Sequence, residues 1–128
     1  MLLRKKEEIE AWLKKYQIIE YELIEDEKYG YVINVSTNVN LSNLNLRNID
    51  IKFNEIKGSF NCGENKLKSL NGCPEIVNGD FFCNDNQLKS LKGCPEMVNG
   101  NFDCSINELK SLKGCPEILN GDFFCNYN

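Results

Sequence analysis

The chain repeats itself every 21 residues over its C-terminal half. Units with the pattern G-x-F-x-C-x-x-N-x-L begin at Gly58, Gly79 and Gly100, and a fourth unit runs from Gly121 to Asn128. A unit this short cannot bury a core alone and has to stack on its neighbours, so a period of about 20 to 50 residues indicates a solenoid. The repeat therefore constrains the architecture more strongly than any other feature of the sequence.

Length and charge exclude several classes of function. The chain has 128 residues, the size of one domain, and a net charge of -4. This charge is a poor match for a phosphate backbone and disfavours a nucleic-acid partner. No apolar run approaches the roughly 20 residues that span a bilayer, and the N-terminus lacks the apolar stretch of a signal peptide. We therefore expect a soluble, cytoplasmic protein without a membrane partner.

The seven cysteines follow the repeat and not the spacing of a metal site. The chain has no C-x-x-C pair and no histidine, which argues against a zinc site, and we expect no metal and no other cofactor. Reduced cysteine packs as a small apolar side chain, so a core role is the main prediction; a bridge between stacked cysteines is the alternative, because neighbouring strands lie about 4.8 Å apart. They occupy two positions of the unit: Cys62, Cys83, Cys104 and Cys125, and then Cys73, Cys94 and Cys115.

Each unit predicts one short strand and two turns. The stretch from Val77 to Cys83 alternates as a strand does, with Val77, Phe81 and Cys83 on one face. Asn86 follows that cysteine by three residues, and we expect it to bond the backbone of its own and the neighbouring coil. A pair of leucines then closes the core, and a Gly-Cys-Pro turn leads to the next strand. Each coil thus has one strand and no room for a helix.

These positions resemble the leucine-rich repeats. The family pattern L-x-L-x-x-N-x-L corresponds to F-x-C-x-x-N-x-L here, and the Pro-Glu before each strand is similar to a bacterial subfamily of secreted effectors. Similar Phe- and Cys-rich units occur in phage and bacterial genomes. The resemblance covers residues 58–128 and reaches weakly over 37–57, which lack the asparagine and the Gly-Cys-Pro turn. It implies a curved solenoid whose concave parallel sheet binds a protein partner.

Residues 1–36 lie outside the repeat. Residues 3–16 read as an amphipathic helix, because apolar side chains fall at helical spacing: Ile9, Trp12, Leu13 and Tyr16. Beyond it, alternating apolar residues on both sides of a turn at 26–30 predict a β-hairpin. The first coil of a solenoid exposes its core unless it is covered, so we predict that the helix and hairpin form a cap. The alternative is that the aromatic residues of this segment contact a partner.

The predicted fold class is therefore α+β, with a helix and hairpin cap followed by a short leucine-rich-repeat solenoid with a parallel sheet. A single domain comprises the cap (1–36), a degenerate repeat (37–57) and three full repeats with a partial fourth (58–128). The last coil is incomplete and predicts an uncovered edge. Three explanations stay open: a homodimer joined through this end, a fragment that lacks further coils, or a partial coil that itself serves as the cap.

Residues that vary between units indicate where recognition could occur. Outward columns beside the inward Phe and Cys mix carboxylates with aromatic rings, a combination that suits a basic protein surface. The alternative is that these are only solvated strand residues. The predicted partner-binding residues are Asp80, Phe82, Asn84, Asn101, Asp103, Asp122, Phe124 and Tyr127.

Two charged columns predict solvated faces, one of lysine (Lys68, Lys89, Lys110) and one of glutamate (Glu75, Glu96, Glu117). Like charges about 5 Å apart repel only weakly in water, so both columns are tolerable on an exposed surface. Without histidine, the Ser-His and Cys-His nucleophile arrangements are excluded, and an open sheet gives a carboxylate pair no water-excluding cleft. We therefore predict that the chain is not an enzyme.

Two classes of function follow from this reading. The first is a non-catalytic binding module that occupies a partner's surface; the resemblance implies an inhibitor of a host defence enzyme, carried by a phage or mobile element. The second is a self-assembling structural element that oligomerises through its C-terminal end.

Overall fold

The computed structural model describes all residues from Met1 to Asn128. It contains one helix, α1 (Lys6–Lys15), and eleven strands. No helix of the structure combines the length and the apolar character that crossing a bilayer requires. The strands in chain order are β1 (Tyr21–Asp26), β2 (Gly30–Val35), β3 (Val39–Asn40), β4 (Phe53–Ile56), β5 (Phe60–Asn61), β6 (Ile76–Val77), β7 (Phe81–Phe82), β8 (Met97–Val98), β9 (Phe102–Asp103), β10 (Ile118–Leu119) and β11 (Phe123–Phe124).

The strands form two sheets, so the chain is a small β-solenoid. Sheet 1 has the order β1-β2-β4-β6-β8-β10, and sheet 2 has the order β3-β5-β7-β9-β11. All pairs are parallel except the antiparallel pair of β1 and β2. Within the repeats each pair joins residues 21 positions apart, as Phe60 with Phe81 and Phe81 with Phe102. The period of the sequence is therefore one turn of the solenoid.

Each coil contains two strands, and the sequence-based prediction of one strand is wrong. The stretch from Val77 to Cys83 bends at its Asn-Gly corner, so that β6 joins sheet 1 and β7 joins sheet 2. The corner needs glycine because a Cβ on Gly79 would lie 2.9 Å from backbone atoms of the coil below. The predicted inward set is confirmed, since Val77, Phe81 and Cys83 are all fully buried.

A single cluster of 27 buried residues runs through the solenoid. Phenylalanine rings stack along its axis, with centroid separations of 5.8 Å between Phe60 and Phe81 and 5.4 Å between Phe81 and Phe102. Four of the cysteines are fully buried in the same core as small apolar side chains, as predicted: Cys62, Cys73, Cys83 and Cys104.

The helix α1 lies against the first coil. It spans Lys6–Lys15, a shorter range than the predicted 3–16, and it buries Ile9, Trp12 and Leu13. The Trp12 ring meets the edge of Phe53 at a centroid distance of 6.2 Å, and this contact joins the helix to the aromatic column of the core. The hairpin β1-β2 continues sheet 1 beyond β4, and its inward residues pack against the same core.

Residues 37–57 form a coil that lacks both the asparagine and the Gly-Cys-Pro turn of the repeat. Lys52 stands at the position of Cys73, and its side chain is buried. Its ammonium group donates a hydrogen bond of 2.6 Å to the Cys73 carbonyl and pairs with Glu75 at 2.9 Å. Because a buried charge is costly unless paired, these two contacts are what allow lysine to replace cysteine here.

Candidate protein-binding surface

One column of asparagines holds the corner that follows sheet 2. The Asn86 side chain accepts the Leu67 N–H at 2.9 Å and donates to the carbonyl oxygens of Cys62 and Cys83 at 3.1 Å each. The amide thus joins two coils, as the sequence predicted, and it satisfies backbone groups that the turn leaves without strand partners. The same arrangement recurs at Asn65, Asn107 and Asn128.

A second column, at the entry to sheet 2, also bonds the backbone. The Asp80 carboxylate accepts the Asn101 N–H at 2.7 Å, and the Asn101 side chain accepts the Asp122 N–H at 2.9 Å. In the same way, the Ser59 hydroxyl oxygen accepts a hydrogen bond from the Asp80 N–H. Asp80 and Asn101, both predicted to contact a partner, therefore hold one coil to the next. The Asp122 carboxylate makes no hydrogen bond within the chain, and its residue is exposed.

The central outward column of sheet 2 has no such role in the stack. The strand register places Phe82 beside Asp103, and Asp103 beside Phe124, on three neighbouring strands. The Phe82 ring is half-buried and the Phe124 side chain is 41% exposed, and neither belongs to the core cluster. The Asp103 carboxylate bonds only locally, accepting the Ser105 N–H at 2.9 Å. The structure thus brings together three of the predicted residues as two aromatic rings around one carboxylate.

The next outward column lies three residues after the end of each strand of sheet 2 and has left-handed backbone. Its residues have φ between 54° and 58°: Asn43, Glu64, Asp85, Ile106 and Tyr127. Tyr127, a predicted site residue, is 83% exposed, whereas Asn84 lies half-buried one position earlier in the unit and makes no side-chain hydrogen bond.

Ile106 is a surface residue that the sequence analysis did not include in its site. It is 48% exposed although it is apolar, and its φ of 57° is strongly disfavoured for a β-branched side chain. Asparagine or aspartate would occupy this position with less strain. The signal in the sequence was the apolar residue itself, standing in a column that is acidic in the two preceding units at Glu64 and Asp85.

Burial suppresses the reactivity of four of the cysteines. Burial raises the pKa of the Cys73 and Cys83 thiols well above 9.0, and it raises the pKa of Cys94 and Cys104 to about 12. Such thiols stay protonated at neutral pH and are inert. Cys115 and Cys125 are exposed in the last coil. No three side chains of cysteine, aspartate or glutamate are arranged to hold a metal ion.

A scan against protein-family models, a search of curated proteins and a search of solved structures each returned no match.

Proposed function

We propose that the chain is a non-catalytic protein-binding module that acts by occupying the surface of a basic partner. The observation that carries this proposal is the pair of outward aromatic rings, Phe82 and Phe124, in a column whose other members in the repeats are the polar residues Asn61 and Asp103. The scaffold does not require the rings, and they are available for contact outside the core. Aromatic side chains of this kind are the usual energetic centres of protein interfaces.

The charge of the surrounding groups supports a basic partner. Asp103 lies between the two rings, and Glu64, Asp85 and Asp122 surround them on the same side of the solenoid. None of these carboxylates forms an ion pair within the chain, since Lys52–Glu75 is the one salt bridge of the structure. A basic partner would pair with them and would be steered to the site by the net charge of -4.

The proposal extends to the family of the chain and to the role of its N-terminal segment. We propose a divergent leucine-rich-repeat protein, for which the F-x-C-x-x-N-x-L pattern and its bonded asparagines are the support. In this proposal α1 and the β1-β2 hairpin serve as the cap of the first coil, supported by the packing of Trp12 on Phe53. Inhibition of a host defence enzyme by a phage or mobile-element protein is the most specific form of the proposal, and it rests on that resemblance.

The test is affinity capture from the organism that encodes the chain. We expect the triple variant Phe82→Ala, Asp103→Lys, Phe124→Ala to lose the captured partner, because it removes both rings and reverses the central charge. The matched control is Asn40→Ala, Asn61→Ala, which alters outward polar positions of the same column of sheet 2 and should keep the captured partner. Thermal melts of both variants establish that they are folded. Retention of every partner by a folded triple variant would refute the proposal.

Self-association is the second candidate. It is supported by the last coil, where Leu112 and Ile118 are exposed and β10 and β11 each pair on one side only. Strands with a free edge pair readily with other chains. Light scattering on residues 1–128 over a range of concentrations tests this candidate. We expect a mass that rises with concentration, and a constant monomer mass would exclude it.

A further inference from the structure

A row of six side chains crosses the outer face of sheet 1, one from each strand. Glu22 pairs with Asn34 across the hairpin, and the Asn34 side chain accepts the Glu55 N–H at 3.0 Å. From Glu55 the register continues through the three repeats. The complete row is Glu22, Asn34, Glu55, Ile76, Met97 and Ile118. We call it the outer row, and it lies on the other sheet from the site proposed above.

The three residues that the repeats contribute to the outer row are apolar. Ile76 and Met97 are half-buried, and Ile118 is 48% exposed. None of the three packs against the core, whereas Val77 and Val98, the next residues along two of these strands, are fully buried. A solvated sheet face normally carries polar residues at its outward positions. These three apolar side chains stand at the same outward position of successive coils, and they therefore form a stripe that is available to a partner.

The other half of the outer row is acidic. A groove of about 500 Å³ lies there, and three carboxylates line it: Glu20, Glu22 and Glu55. Glu55 accepts a hydrogen bond of 3.3 Å from the Asn78 side chain, and none of the three forms an ion pair. Lys57 is the one basic residue of the lining. This end of the row is thus complementary to a cationic group.

The spacing of the outer row fits an α-helix better than an extended strand. Neighbouring strands lie about 4.8 Å apart, so the row is about 24 Å long. A helix has a pitch of about 5.4 Å, so it places about one side chain on each strand, and about 16 residues cover the row. An extended segment presents side chains to the same face only about every 6.8 Å, a spacing that does not match the separation of about 4.8 Å between the strands.

We propose that the outer face of sheet 1 binds an amphipathic helix of another protein, with basic residues over the acidic groove and an apolar stripe over Ile76, Met97 and Ile118. The helix of a second copy does not meet this description, because the apolar face of α1 is buried in its own core. Helix binding on an apolar stripe, oriented by charge at one end, is a common mode of peptide recognition. This inference goes beyond the proposed function and uses none of its residues.

The test uses a synthetic helical peptide of about 16 residues, with lysines in its first two turns and leucines at i, i+3, i+4 and i+7 in the rest. We expect saturable binding in fluorescence anisotropy, with chemical-shift changes at the methyl groups of Ile76, Met97 and Ile118. A peptide of the same composition, with its leucines spread around the helix, should bind about tenfold more weakly. No binding at about 1 mM peptide, or equal binding of the two peptides, would overturn the inference.

Two sets of variants separate this surface from the first one. Met97→Thr, and the pair Glu22→Gln, Glu55→Gln, should each weaken the peptide about tenfold, because one removes the centre of the stripe and the other the charge of the groove. Phe82→Ala should leave the affinity unchanged, so the inference and the proposed function can fail independently. Thermal melts verify that each variant is folded. Peptide affinity that is insensitive to both sets, or shifts confined to sheet 2, would overturn the inference.

Discussion

The outward side chains beside the two sheets have different roles. At the entry to sheet 2, Ser59, Asp80 and Asn101 bond the backbone of the next coil, so these polar residues form part of the stack. On sheet 1 the outward residues of the repeats are Ile76, Met97 and Ile118, whose apolar side chains make no hydrogen bond to the neighbouring coil. An outward direction in a solenoid is therefore not sufficient evidence of a binding residue.

The useful distinction is whether a side chain already has a partner in its own stack. Asp80 and Asp103 are both outward carboxylates, yet the Asp80 carboxylate bonds the next coil and the Asp103 carboxylate bonds only its own turn. Phe81 and Phe82 are adjacent, yet one is part of the aromatic column and the other lies outside the core. Substitution of one member of each such pair separates the two roles.

The largest contrast is expected between Phe81→Ala and Phe82→Ala. Phe81 is fully buried between two stacked rings, so its truncation should lower the free energy of unfolding by about 3–5 kcal/mol. Phe82 is half-buried on the outer face, and its truncation should change that energy by about 0.5 kcal/mol. Urea denaturation measures both values. Equal losses would mean that Phe82 is a core residue and not an available one.

Asn86→Ala should have the next largest effect, a loss of about 3 kcal/mol in the free energy of unfolding. The substitution leaves the Leu67 N–H and the carbonyl of Cys62 without this partner in a buried corner. The control is Asn84→Ala, which removes an amide that makes no side-chain hydrogen bond and should be nearly neutral. Similar thermal melts for the two variants would contradict the structural role of the asparagine column.

On sheet 1, Val98→Thr should lower the free energy of unfolding by about 1–2 kcal/mol, because it places a hydroxyl in the apolar interior. Met97→Thr, one residue earlier and on the outer face, should change it by less than about 0.5 kcal/mol. Urea denaturation of the two variants tests the assignment of inward and outward positions. A larger loss for Met97→Thr would show that the apolar stripe stabilises the sheet.

The smallest expected effect is that of Asp80→Ala, a loss of about 1 kcal/mol, because the Asn101 N–H loses its acceptor at a partly exposed position. Asp80→Asn keeps an acceptor oxygen and should recover most of that loss. Thermal unfolding near neutral pH compares the two. If both variants match the wild type, the bond from Asp80 to the next coil contributes nothing and the residue returns to the set available for a partner.

The parts of the fold that depend on the period could be predicted from the sequence. The 21-residue repeat predicts the stack, and the constant positions predict the inward residues Phe81 and Cys83 and the bonds of Asn86. The second strand of each coil was missed because a two-residue strand such as Ile76–Val77 is too short to alternate. The sequence pattern therefore includes the Asn-Gly corner, which separates Ile76–Val77 from β7, in a single strand.

The candidate site was harder to predict. Its outward residues are distinguished from structural ones only by their contacts with the neighbouring coil. The role of Asp80 depends on the position of the Asn101 N–H, which a sequence pattern does not contain. The left-handed φ of Ile106 could not be predicted from the sequence either, because isoleucine strongly disfavours that conformation. Phe82 and Phe124 could be found because they interrupt a column that is otherwise polar.

One paired measurement tests the central claim, that side chains bonded within the stack are structural and unbonded ones are available to a partner. Melting temperature and partner capture are measured together for Asp80→Ala and Phe82→Ala. We predict that Asp80→Ala lowers the melting temperature and keeps the captured partner, whereas Phe82→Ala keeps the melting temperature and loses the partner. The reverse pattern, in which Phe82→Ala destabilises the fold and Asp80→Ala abolishes capture, would contradict the account.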